Sequence, residues 1–94
     1  MGVVTVTVQT KPTRLLSTNP KRVNYTLFND SSTNVYIGFD KNVSTTGKTK
    51  GIRLAAGGGY ISDEHHKGEV WAIASSATEV TVVEVTLMDG GVTA

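Results

Sequence analysis

The chain is expected to fold as an all-β protein. The form expected is a single small antiparallel β-sandwich, Ig-like or jelly-roll-like, of about seven to eight short strands. Three observations predict this. Thirteen Val and fourteen Thr stand against five Leu, and β-branched side chains suit a pleated sheet better than a helix. Apolar residues recur at every second position in one segment after another, and no run has helical spacing. Clusters of Gly, Pro, Asn, Asp and Ser separate those segments at about 8–12-residue spacing. With 94 residues the chain holds one core, so residues 1–94 form one domain.

Each element follows from its own residues. Val4-Thr5-Val6-Thr7-Val8 alternates as a strand with one buried face. Residues 1–10 therefore form an edge-strand arm, broken by Lys11-Pro12 because Pro donates no ladder hydrogen bond. Arg14–Ser17 is a short second strand, and Asn19-Pro20 is a turn signal. Arg22–Asn29 and Val35–Phe39 both alternate. Asp30-Ser31-Ser32-Thr33 lies between them, and the pair reads as a β-hairpin. Residues 40–50 form the longest irregular stretch and the expected mobile loop. Ile52 and Leu54 resume the alternation, Gly57-Gly58-Gly59 breaks it, and Tyr60-Ile61 restarts it. Glu69–Ala74 and Glu79–Met88 are the last strands, and residues 89–94 form a tail. Val80 and Val82 share one parity while Val83, Val85 and Leu87 share the other. Either both faces are covered, or a β-bulge near Val82-Val83 resets the register.

Composition excludes several classes. A net charge of +1 gives no bulk attraction to nucleic acid or membrane. No apolar run reaches the roughly 20 residues of a transmembrane helix. The N-terminus has no basic region ahead of its valines and reads as a strand rather than a signal peptide. With no Cys there is no disulfide, thiolate metal site or Cys nucleophile.

Chemistry-bearing clusters are few. Asp63-Glu64-His65-His66 holds metal-ligand residue types, but adjacent residues of a strand face opposite ways and no third His exists. A solvated turn is expected there, with no metal. Gly57-Gly58-Gly59 lacks the Lys-Ser/Thr and the helix of a phosphate loop. Glu69, Glu79 and Glu84 imply no shared cleft, and no nucleophile has a base and orienter in reach, so no enzyme activity and no cofactor are expected. Lys11, Arg14, Lys21 and Arg22 read as a solvated basic edge.

The aromatic residues carry more. Tyr36 opposes Val35, Ile37 and Phe39 in parity. Trp71 and Ile73 oppose Val70, Ala72 and Ala74. Strands apolar on both faces need either a large core or a surface covered by another subunit. Val4, Val6, Val8, Tyr36, Tyr60 and Trp71 are accordingly the candidate interface residues.

Motifs from Asn19 to Val85, about two-thirds of the chain, carry a resemblance. They are Asn19-Pro20-Lys21-Arg22, the strand ending Phe28-Asn29-Asp30-Ser31, and Val35-Tyr36-Ile37-Gly38-Phe39. Gly51–Gly57, Gly68–Ala74 and Val80–Val85 follow. In this order they resemble small β-sandwich virion proteins of bacteriophages and related viruses. Ala56 stands where such proteins commonly have Pro. The resemblance implies a capsid decoration protein or a tail or fibre accessory, located in the virion after synthesis in the host cytoplasm. Its partners would be itself, as a homo-oligomer, and a major capsid or other virion protein, with neither nucleic acid nor membrane. The alternative is a carbohydrate- or receptor-binding sandwich that stacks ligand on Tyr36, Tyr60 or Trp71.

Overall fold

The alternating segments form strands because an extended backbone must pair sideways once every second side chain is buried. The computed structural model describes residues 2–88 and 91–92. The strands are β1 (Gly2–Val8), β2 (Thr13–Leu16), β3 (Arg22–Asn29), β4 (Val35–Gly38), β5 (Ile52–Leu54), β6 (Gly59–Asp63), β7 (Val70–Ala74), β8 (Thr78–Met88) and the two-residue β9 (Gly91–Val92). Among the described residues the only helical turn is a 3₁₀ turn at Gly47–Thr49. Of the expected tail, residues 89, 90, 93 and 94 lie outside the described residues, and β9 folds back on β8.

Two antiparallel sheets result, ordered β1-β8-β3-β6 and β2-β7-β4-β5. The pairs β1·β8, β2·β7, β3·β6 and β4·β5 nest inside one another. The chain is thus a ribbon doubled back at the β4–β5 loop. It is wrapped so that β3 also meets β8 and β4 also meets β7. That winding is the jelly roll, one of the two expected sandwich forms.

The expected hairpin between Arg22–Asn29 and Val35–Phe39 does not form. β3 and β4 lie in different sheets, and residues 30–34 carry the chain across the sandwich. Alternation on either side of a turn looks the same whether the turn stays in one sheet or crosses. Asn29 fixes the crossing. Its buried Nδ2 donates to the Thr33 carbonyl at 2.9 Å and the Leu54 carbonyl at 2.8 Å, and its Oδ1 accepts from the Ser31 hydroxyl at 2.6 Å. The crossing is laced to the β5–β6 turn by Ala56 N–H to Asn34 Oδ1, Gly57 N–H to the Ser31 carbonyl and Gly58 N–H to the Asn29 carbonyl. Gly57 and Gly58 take φ of 79° and 114°, which only glycine adopts freely.

The core takes Val8, Tyr25, Leu27, Val80 and Val82 from the first sheet. The second supplies Leu15, Leu16, Val35, Ile37, Leu54 and Val70. Each such side chain contributes about 1.5–3 kcal/mol on burial. β7 turns its small residues, Ala72 and Ala74, inward and Trp71 outward. Small inward residues on β7 leave volume for the larger ones beside them.

Of the two alternatives for β8, the β-bulge near Val82-Val83 is absent. β8 pairs without interruption with β1 through this region. Val80 and Val82 face the core, while Val83 and Val85 stand half-buried on the outer face. The register shift lies instead on the partner strand, between Arg22 and Asn24 of β3, with Val23 as the extra residue. It reverses the strand's parity. Asn24, Thr26 and Phe28 point outward, yet Arg22, of the same parity, turns inward. A second shift between Arg14 and Leu16 of β2 lets the adjacent Leu15 and Leu16 both reach the core.

Arg22 is therefore no part of a solvated basic edge. Its side chain is fully buried and its guanidinium closes one end of the sandwich. Nε donates to Glu84 Oε2 at 2.8 Å. Nη1 donates to the carbonyls of His66 and Gly68 at 3.0 Å each, and Nη2 to that of Ser17 at 2.6 Å. Glu84 and Thr86, of inward parity on β8, are tied by Asn19 Nδ2. Asn29 closes the opposite end.

Residues 40–50, the expected mobile loop, fold onto the second sheet. Val43 is buried against the backbone at Gly38 and Gly51, where an added Cβ would come within 2.7 Å of its side chain.

Candidate functional site

The expected interface residues do not gather on one surface. Val8 has its side chain in the core. Val6 is half-buried against that core. Val4 has inward parity but is 53% exposed, because the second sheet does not cover the start of β1. Tyr36 and Trp71 are half-buried on the outer face of the second sheet. There the Lys50 ammonium lies 5.8 Å from the Tyr36 ring centroid, and Trp71 Nε1 donates to Glu69 Oε1 at 3.3 Å. Glu69 in turn pairs with Arg14 at 3.3 Å. Tyr60 lies on the other sheet, 68% exposed.

That first sheet presents an outer face of an unusual kind. Pleat alternation puts Val3, Thr5 and Thr7 of β1, Thr81 and Val83 of β8, Thr26 and Phe28 of β3, and Tyr60 and Ser62 of β6 on one surface. None of these carries a charge. Phe28 is paired in register with Tyr60, their ring centroids 6.1 Å apart and tilted by 31°. Phe28, which parity alone sets apart from Tyr25 and Leu27, completes the aromatic pair and was absent from the expected interface residues.

A groove runs beside this pair. It is lined by Thr5, Thr7, Asp30, Ser31, Thr78, Glu79 and Thr81. Glu79 is the one acidic residue on the strand parity that faces it, and Asp30 stands on the crossing loop. Neither carboxylate has an ion-pair partner among the described residues. The groove thus offers hydroxyl and carboxylate acceptors next to an aromatic platform.

The Asp63–His66 turn has a structural role. Asp63 Oδ1 accepts from the His65 N–H at 2.9 Å, and that backbone donor holds the Asp63 carboxyl below its ordinary range. The His66 ring packs on Phe39 at 4.4 Å, and its Nε2 sits 2.9 Å from the Glu69 carbonyl. Among the described residues no three His, Asp or Glu side chains gather to hold a metal. Tyr25, whose hydroxyl lies 3.5 Å from Asp63, has its pKa raised, first by burial and then by that carboxylate.

No known family, curated protein or solved structure matches the chain.

Proposed function

We propose that this chain is a non-enzymatic virion component, a capsid decoration or accessory subunit that self-associates and binds a shell protein. One observation carries the reading: the outer face of the first sheet is broad, uncharged across its centre and uncovered, with Val3, Phe28 and Tyr60 standing clear of it. Exposed apolar patches rimmed by polar residues mark contact with other proteins. The jelly-roll winding supports the reading by analogy, since capsid domains use it, as do lectins. Mass measurement of the purified chain, alone and mixed with particles lacking it, tests the proposal. Stable addition of mass to the particles is expected, and Phe28→Lys should abolish it while leaving the melting temperature within a few degrees. Particles that gain no mass would refute shell binding.

A second reading has its own support. The Phe28–Tyr60 pair, with the hydroxyls and free carboxylates of the adjacent groove, suits a sugar ring stacked on one face and hydrogen-bonded at its rim. Glycan-array binding lost in Tyr60→Ala would favour this reading over shell attachment.

A further inference from the structure

We infer that β1 is the self-association element, and that it pairs antiparallel with β1 of a second copy about a two-fold axis through Thr5. The inference rests on the self-association just proposed and gives it a geometry.

The four sheet edges differ sharply. β2 has four residues, a register shift and Arg14. β5 has three residues, one of them Arg53. β6 ends in Asp63, which shares the inward parity of Tyr25. Shortness, bulges and charges are the devices that keep edges from pairing. β1 has none of them. It runs for seven residues in unbroken register with β8, and its sequence Gly2-Val3-Val4-Thr5-Val6-Thr7-Val8 is neutral throughout. Its far side presents a row of main-chain donors and acceptors with no strand beyond it among the described residues.

The occupant follows from symmetry and charge. Directly opposed residues stand on the same face of a sheet, so a self-pairing that keeps inward residues inward has its axis on a residue. An axis on Thr5 uses the whole strand. It sets Gly2 opposite Val8, Val3 opposite Thr7 and Val4 opposite Val6. Thr5 then meets Thr5 of the other copy, a favourable cross-strand pair. A neutral strand pairs with itself without opposing like charges. Val4, the inward-parity residue that the second sheet leaves uncovered, gains Val6 of the other copy as its neighbour. The two first sheets merge into one, and the uncharged outer face doubles in width. One strand pair is a small interface, so the dimer is reversible in solution.

Sedimentation velocity on the full chain, from micromolar to millimolar, tests this. The expected result is a sedimentation coefficient that rises with concentration. Thr5→Lys and Thr5→Glu should each stay monomeric with unchanged circular dichroism, and an equimolar mixture of the two should sediment as a dimer. Because the chain has no Cys, Thr5→Cys gives an independent reading if the charged variants misfold. Under mild oxidation it should form a disulfide-linked dimer, whereas Ser62→Cys on the same outer face should not. Wild type that associates while the charged variants associate equally, or Thr5→Cys that links no better than Ser62→Cys, overturns the β1 pairing and leaves self-association standing. Wild type that stays monomeric at every concentration overturns both.

Discussion

Arg22 is the most heavily committed residue in the molecule. Four of its N–H donors are used at 3.0 Å or less, one on Glu84 and three on main-chain carbonyls, and its Cζ lies 5.6 Å from the Tyr25 ring centroid. Removing it strands the Ser17, His66 and Gly68 carbonyls and the Glu84 carboxylate together. Breaking a buried pair by deleting one partner costs about 3–5 kcal/mol. Arg22→Ala should therefore lower the melting temperature by more than about 12 °C, at roughly 4–8 °C per kcal/mol for a chain this size. Glu84→Gln keeps an acceptor for Nε and should cost less than half as much; equal losses in thermal melts would show that charge rather than hydrogen bonding holds the plug. Asp63 makes a pH prediction. Its carboxyl is held low by the His65 N–H, so it favours the folded state above the unfolded Asp value of about 3.9. That contribution fades as pH falls through the lower folded value. Melting temperature measured down the acid limb should fall less steeply in Asp63→Asn than in wild type. Tyr25, with its pKa raised by burial, favours the folded state below about pH 10 and loses that contribution above it.

At the scale of elements, β1 is an integral strand of its own sheet, and half of the question raised by its unprotected valines is thereby answered. It pairs with β8 over seven positions and places Val8 in the core. Deleting residues 1–9 should unfold the domain, leaving a circular dichroism spectrum without strand signal, because a chain this size has little stability to lose. The strands themselves were legible in the sequence. Period two is local, and Val4–Val8, Val23–Leu27 and Val35–Phe39 display it openly. Sheet membership was not legible, since it is set by pairings such as Val6 with Val80 that no local window contains. The Asn29 crossing shows the difference: its turn residues were recognised, but its reach to Leu54 in the other sheet has no sequence signature. Arg22 was misplaced for a related reason. A single extra residue, Val23, inverts the face of everything before it, and nothing in Arg22-Val23-Asn24 distinguishes a bulge from a regular pleat. Of the interface candidates, Tyr60 was visible as an aromatic beside a glycine turn. Its partner Phe28 was visible only as a residue of odd parity, and the groove beside them is assembled from three separate stretches of chain.

For the molecule as a whole, the winding sets how it folds. Among the described residues only β4·β5 and β8·β9 join strands consecutive in the chain; every other pairing spans at least 30 residues between partners. Topologies of this kind fold in milliseconds to seconds rather than microseconds. Stopped-flow refolding followed through Trp71, the single tryptophan, should show a phase in that range, and completion within microseconds would contradict it. The nested pairing has a further consequence on the ribosome. β1 is made first, but its only partner among the described residues is β8, which begins 70 residues after β1 ends. At roughly 5–20 residues per second, the segment waits about 4–14 s for its mate. The first sheet cannot close in that interval, so the domain is completed only once β8 is released. Throughout it, the neutral Val-Thr segment is open to whatever nascent chain lies beside it on a polysome.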